Sequence, residues 1–193
     1  MKRNDKNSME AIKNIITRNS NSKLIEPHPT KEEMELVYKS AWRAPDHANL
    51  KPSQFIEVTG SGLDKLSDIF VNFNDVHLKE KNEVKIKKYK NAPYRAPMVI
   101  ILICNVTDHP KVPKIEQMLS TAAAAQNILL SLHALNYGAI WRTGAFALNE
   151  EISAFFDLKK HQKILGYLYV GTSKGKQKKI PEAKISDFVT RWS

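Results

Sequence analysis

The run Met98 to Cys104, M-V-I-I-L-I-C, is continuously apolar, and it constrains the fold more than any other stretch of the chain. A half-buried strand would alternate and a surface helix would show a 3.6-residue period; an unbroken apolar run this short fits a central strand buried on both faces. Ile164 to Val170 reads as a second buried strand and Phe55 to Val58 as a shorter one. Between them lies a long helical pattern, Lys114 to Asn136, whose Ala122 to Ala125 run permits close approach of another backbone. Such a run of small residues belongs to a core or a subunit interface more often than to an active site. Thr30 and Glu33 have the spacing of a capping box. The helix they open carries Met34, Val37, Tyr38, Ala41 and Trp42 along one stripe. Ile12, Ile15 and Ile16 mark one face of a first helix, and Leu63, Leu66, Phe70 and Phe73 mark another.

At 193 residues and 42% hydrophobic, the chain is long enough to bury a sizeable core, and one domain over 9–193 is expected after a disordered basic tail at 1–8. The formal net charge of +10 favours anionic partners: nucleic acid, an acidic membrane surface or a phosphate-bearing cofactor. Lysines gather in 79–90 and 174–179 with Tyr89 the single aromatic among them and without zinc-finger or helix-turn-helix spacing, so these runs read as solvated faces. Cys104, the single cysteine, lies inside the apolar run and cannot form an intramolecular disulfide; a buried, inert thiol and a cytoplasmic location are expected. No signal-peptide h-region follows Met1 to Ser8 and no stretch approaches membrane-spanning length, so no membrane association is expected. The six histidines are scattered and no metal site is expected. Gly60-Ser61-Gly62 imitates the opening of a dinucleotide fingerprint, but Lys65 stands where the third glycine belongs.

Residues 74–97, lysine-rich with weak periodicity and ending in N-A-P-Y-R-A-P, suggest a mobile helical excursion with a rigid return into the sheet, a natural place for a lid. At the other end Ile185, Phe188, Val189 and Trp192 make an apolar tail for which a monomer offers little cover. The segment 172–193 is therefore expected to dock on a partner subunit.

Three short segments concentrate polar groups. In Trp42 to Ser53, W-R-A-P-D-H-A-N-L-K-P-S, Pro45 and Pro52 bias their predecessors away from helical angles and stiffen a loop bearing Arg43, His47, Asn49 and Lys51. A polar turn with Asp46 as its cap would explain that loop equally well on its own. Gly138 to Gly144, G-A-I-W-R-T-G, sets Arg142 and Thr143 between glycines that let a ligand approach the backbone. Trp141 alone would read as a core aromatic, and His133 as a satisfied core histidine. Arg18, Asn19 and Ser20 end the first helix.

Taken together, T-R-N-S, R-A-P-D-H-x-N-x-K-P and W-R-T-G resemble, in order and spacing, the flavin-dependent nitroreductase family, most closely its small NAD(P)H nitroreductase branch. The resemblance runs from about Met9 to Trp192. It implies an α+β fold: a mainly antiparallel central sheet flanked by helices, assembled as a homodimer with FMN at the subunit interface. It also implies two-electron, ping-pong transfer from NAD(P)H to nitroaromatic or similar small-molecule acceptors.

In that reading Arg18, Asn19 and Ser20 hold the ribityl phosphate, with Arg142 and Thr143 assisting, because a phosphate dianion needs cations and donors. Arg43, or alternatively Arg142, would offset the negative charge that a reduced flavin carries at its N1 and C2 carbonyl edge. His47 and Asn49 would bond the pyrimidine edge or the second subunit's loop, and Trp141 completes the set of cofactor-binding residues. No side chain is given the chemical step itself, which belongs to the flavin. Asn19 departs from the family's second arginine, a loss that Lys51 or a lysine of 79–90 could offset. The alternatives are a related flavin reductase or dehydrogenase acting on a physiological substrate that is not a nitro compound, and a basic nucleic-acid-binding or interaction protein.

Overall fold

The computed structural model of the protein describes residues 10–175 and 178–192; the stretch 1–8, expected as a disordered tail, lies outside them. The apolar run forms β3 (Met98–Asn105), and its seven residues from Met98 to Cys104 are all buried. It pairs antiparallel with β2 (Ser53–Thr59) on one side and with β5 (Gln162–Ser173) on the other. The far edge of β5 carries two strands end to end: β1 (Leu24–Ile25) against Ser173 and Thr172, and β4 (Gly138–Arg142) against the stretch from Gly171 to Tyr167. Every ladder among the described residues is antiparallel, and a single parallel bridge joins Ser20 to Ala139. The expected antiparallel sheet with flanking helices is the observed one.

Alternation along β3 divides the core in two. Val99, Ile101 and Ile103 face α3 (Gly62–Phe73), the short helix α6 (Ala145–Leu148) and the aromatic group Phe70, Phe73, Phe146 and Tyr167. Met98, Ile100 and Leu102 face α2 (Lys31–Ala41) and α5 (Lys114–Ala134). Burial of this kind contributes about 1.5–3 kcal/mol for each large apolar side chain, so β3 anchors both layers. α2 begins at the capping box: Thr30 accepts from the Glu33 amide and the Glu33 carboxylate accepts from the Thr30 amide. It is fastened to α5 by Ser131 Oγ donating to Ser40 Oγ at 2.6 Å and Asn127 Nδ2 donating to the Ser40 carbonyl at 3.0 Å. Ala124 and Ala125 are buried in that contact, so half of the alanine run serves the core.

The first helix is set differently from its sequence pattern. In α1 (Ala11–Thr17) Asn14 is the buried residue, donating through Nδ2 to the Leu130 carbonyl at 2.9 Å, while Ile12, Ile15 and Ile16 are 62, 51 and 58% exposed. The apolar face therefore points away from the body of the chain. Residues 74–97 form a π-turn (Asn74–Leu78), α4 (Glu83–Lys90) and a 3-10 turn at Pro93–Arg95. Ser67 Oγ donating to the Lys90 carbonyl at 2.8 Å and Tyr94 donating to Asp64 at 2.6 Å fasten this segment to α3. Trp192, in the C-terminal tail, is 96% exposed. Among the described residues no helix is long and apolar enough to cross a membrane.

Candidate functional site

The T-R-N-S segment leaves α1 in an extended conformation, with Arg18 at φ −60° and ψ 131°. The bridge from Ser20 to Ala139, and the Asn21 amide donating to the Ala139 carbonyl at 3.0 Å, lay it along the outer edge of β4. Continuing up β4 from Ala139 leads directly to Trp141, Arg142 and Thr143. The first and third sequence segments, more than a hundred residues apart, thus share one sheet edge. Asn19, Asn21, His133, Tyr137 and Gly138 line a groove of about 190 Å³ beside that edge. Lys178 closes it by donating from Nζ to the Ser20 carbonyl at 2.6 Å. Burial and then the positive charge of Arg18 depress the His133 imidazole below its ordinary value, and its Nε2 lies 3.0 Å from Thr17 Oγ1. Lys178 is the one formally charged side chain among the described residues that line the groove, and amide and hydroxyl groups make up most of the rest.

At the far end of β4 the environment changes. Arg142, Thr143 and Gly144 border a cleft of about 450 Å³ walled by Tyr89, Tyr167 and Tyr169 and bordered also by Lys88 and Arg95. The Arg142 guanidinium carbon is 5.8 Å from the centre of the Tyr169 ring, and its Nε is buried with no hydrogen-bond partner. Gly144 adopts φ +90°, a conformation that favours glycine and leaves Thr143 and Gly144 at the surface. Trp141 has a structural role as well: its indole covers Gly166, where no Cβ would fit, and donates from Nε1 to the Leu165 carbonyl at 3.2 Å. Its indole N–H is therefore committed within the protein.

The R-A-P-D-H loop stands apart from both. Its short 3-10 turn (His47–Asn49) holds Ala48, Asn49 and nearby Lys51 at positive φ, a conformation kept by Asp46, whose carboxylate accepts from the Leu50 and Lys51 amides at 3.1 and 2.8 Å. Asp46 is thus the cap that the simpler reading of this loop assigned to it. Local strain of this kind persists where surrounding contacts over-determine it. Arg43, His47 and Asn49 are exposed, and His47 Nδ1 meets Glu116 of α5 at 2.6 Å. Lys51 is occupied, 3.6 Å from Asp46 and 4.6 Å above the Trp42 ring. With Tyr38, Trp42, Phe55 and Ser120 the loop lines a smaller apolar cleft of about 240 Å³.

Two residues that sequence reasoning did not select belong to these surfaces. Lys178 sits in a lysine run that reads as a solvated face, and only the fold carries it back to Ser20. Arg95 carried a signal in N-A-P-Y-R-A-P, where two prolines stiffen its approach to β3.

The family model for the nitroreductase family matches residues 15–172. The chain belongs to the nitroreductase family. This nitroreductase-family oxidoreductase is 32% identical over 164 residues to a protein of Escherichia coli K12 named "Putative NAD(P)H nitroreductase YdjA", covering 85% of this chain and 88% of that one. Its fold is shared with a nitroreductase-like family protein from Bacillus cereus at a TM-score of 0.81 and 21% identity, over 95% of this chain and 96% of the other. A "putative nitroreductase in complex with FMN" from Desulfovibrio desulfuricans superposes at a TM-score of 0.74 and 16% identity, over 96 and 98% of the two chains.

Proposed function

We propose that this member of the nitroreductase family is an FMN-dependent NAD(P)H oxidoreductase that reduces nitroaromatic or similar acceptors by two electrons in a ping-pong cycle. The observation that carries this reading is the shared edge of β4, where the Ser20–Ala139 bridge aligns T-R-N-S with W-R-T-G. The donor chemistry along that edge fits FMN. A phosphate dianion needs full charge-assisted hydrogen bonding when withdrawn from water, and Arg18, Asn19, the Ser20 hydroxyl and Lys178 supply cations and donors at one end. At the other, the unpartnered Nε of Arg142 and the Thr143 hydroxyl offer donors to an electron-rich edge. Bound there, FMN would carry two electrons between donor and acceptor.

The remaining assigned residues, Arg43, His47 and Asn49, stand on a loop with its own cleft, and in this reading they reach the cofactor from a second copy of the chain. Support comes from the apolar surface that one protomer leaves uncovered: Ile12, Ile15 and Ile16 of α1, Ile115 and Leu119 of α5, and the tail. Exposed apolar residues in such number support an interface between copies of the chain. Of the tail 172–193, Thr172, Ser173 and Lys178 are held by the same chain; the apolar part beyond them docks on that partner, and 74–97 acts as the lid. The buried thiol of Cys104, pushed up by desolvation, suits a reducing, cytoplasmic setting. Titrating flavin-free protein with FMN while following flavin fluorescence tests the reading: saturable binding is expected, and the absence of saturation would refute it.

A further inference from the structure

The cleft at the upper end of β4 carries more positive charge than a flavin edge requires. Two guanidiniums, Arg95 and Arg142, and the Lys88 ammonium border it, and its lining contains no aspartate or glutamate. Among the described residues neither arginine has an ion-pair partner; the unpartnered Arg142 Nε is the donor assigned above to the flavin, which leaves Arg95 as the cation free for a second ligand. A half-buried guanidinium such as that of Arg95, without a counter-charge, is costly, and an incoming anion removes that cost. Both arginines act on the same ring: Tyr169 lies deep enough for burial to raise its phenol, while Arg95 and Arg142 pull in the opposite direction.

The remaining walls are aromatic and apolar. Tyr89 stands edge-on to Phe146 at 5.0 Å, Phe146 stacks on Phe70 at 4.1 Å, and Ile140 completes the floor. A volume of about 450 Å³ is within the range of small-molecule sites, which are apolar with a few fixed polar groups. Flat walls with a cationic rim suit a planar ring bearing a negative group.

We propose that this cleft is an acceptor subsite that selects planar aromatic carboxylates, with Arg95 reading the carboxylate and the tyrosine walls holding the ring. Arg142 borders both the cofactor edge and the cleft, so a ring held by Arg95 lies beside the place assigned to the flavin. The redox role of the bound ring rests on the function proposed above; the charge preference rests on the cleft alone. If a 4-nitrobenzoate is the acceptor, its nitro group takes two electrons and two protons, becomes nitroso and releases water, while NAD(P)H is oxidised to NAD(P)⁺.

The test separates the two claims. Calorimetric titration of the FMN-loaded protein with 4-aminobenzoate, which cannot be reduced in this way, should show saturable binding, weakened about tenfold in Arg95→Ala because a charge-assisted pair is lost. Arg95→Lys, which retains the charge but not the two-pronged donor geometry, should also bind more weakly than wild type; it serves as the decisive variant if Arg95→Ala does not fold. In turnover, the ratio of kcat/KM for 4-nitrobenzoate to that for 4-nitrobenzyl alcohol should exceed one and fall in Arg95→Ala, chiefly through KM of the acid. Absent binding of 4-aminobenzoate to wild-type protein, or an affinity and a ratio unmoved by both substitutions, would overturn the proposal. Binding that depends on Arg95, in a protein that reduces neither nitro compound, would uphold the anion subsite and refute the nitro-reducing function instead.

Discussion

Asn19 stands where the family resemblance leads one to expect a second arginine, and in the proposed site Lys178, from the other end of the chain, would offset that loss. Lys178 reaches the Ser20 carbonyl, whereas Lys51 is held by Asp46 and Trp42. The α4 run, the other candidate for this compensation, lies against α3 rather than beside Ser20. Arg18→Ala should weaken FMN binding by about 1.5 to 3 kcal/mol, the range for a hydrogen bond to a charged group. Fluorescence titration of the flavin-free variant measures it, and an unchanged dissociation constant removes Arg18 from the site.

His133 offers an independent check on the same phosphate end. Its imidazole is depressed by burial and by Arg18. The unfolded chain therefore binds protons more readily than the folded one below about pH 6.5, so His133 subtracts stability as pH falls through its unfolded value. A phosphate dianion beside Arg18 would cancel the arginine's repulsion of the protonated ring. FMN binding should consequently raise the His133 pKa, visible as a shifted midpoint in an NMR titration of its ring protons; a midpoint that stays in place or moves down would contradict a phosphate at Arg18.

At the scale of elements, the chain announced its strands and helices wherever burial was symmetrical or capping was explicit. Met98 to Cys104, Ile164 to Val170, the Thr30–Glu33 box and the Lys114 helix all stand where their patterns indicated. α1 shows the limit of that reading. Periodicity marks an apolar stripe but not what covers it, and here the stripe of Ile12, Ile15 and Ile16 faces away from the protomer while Asn14 turns inward. The C-terminal tail has the same character, with Phe188 67% and Trp192 96% exposed. If both surfaces meet a second copy, deleting the residues after Pro181 should shift the sedimenting species from dimer towards monomer and lower the flavin carried through purification. Wild-type protein that sediments as a monomer at full FMN occupancy would contradict the shared site.

On the scale of the whole molecule, the parts of the site legible in the sequence were those made of local motifs. R-A-P-D-H and W-R-T-G each declare a stiff loop or a glycine-flanked turn through residues close together in the chain. What joins T-R-N-S to W-R-T-G and builds the surfaces around them is long-range: the Ser20–Ala139 bridge, the return of Lys178 and the approach of Arg95 and Arg142 to Tyr169 depend on sheet order, which no short window encodes. One chain assembles two of the three motifs along one edge and leaves the third on a loop of its own, so in the proposed reading a second chain would complete the site. If one flavin face serves both substrates in turn, as proposed, double-reciprocal plots of rate against acceptor at several fixed NAD(P)H concentrations should be parallel; intersecting lines would call for a second site.

The most direct measurement is anaerobic stopped-flow absorbance of the FMN-loaded protein. Mixing with NAD(P)H should bleach the flavin band in a first step with no acceptor present, and a later addition of a nitroaromatic should restore the colour in a separate step. A flavin band that does not bleach, or that bleaches only when acceptor is already present, would contradict the account.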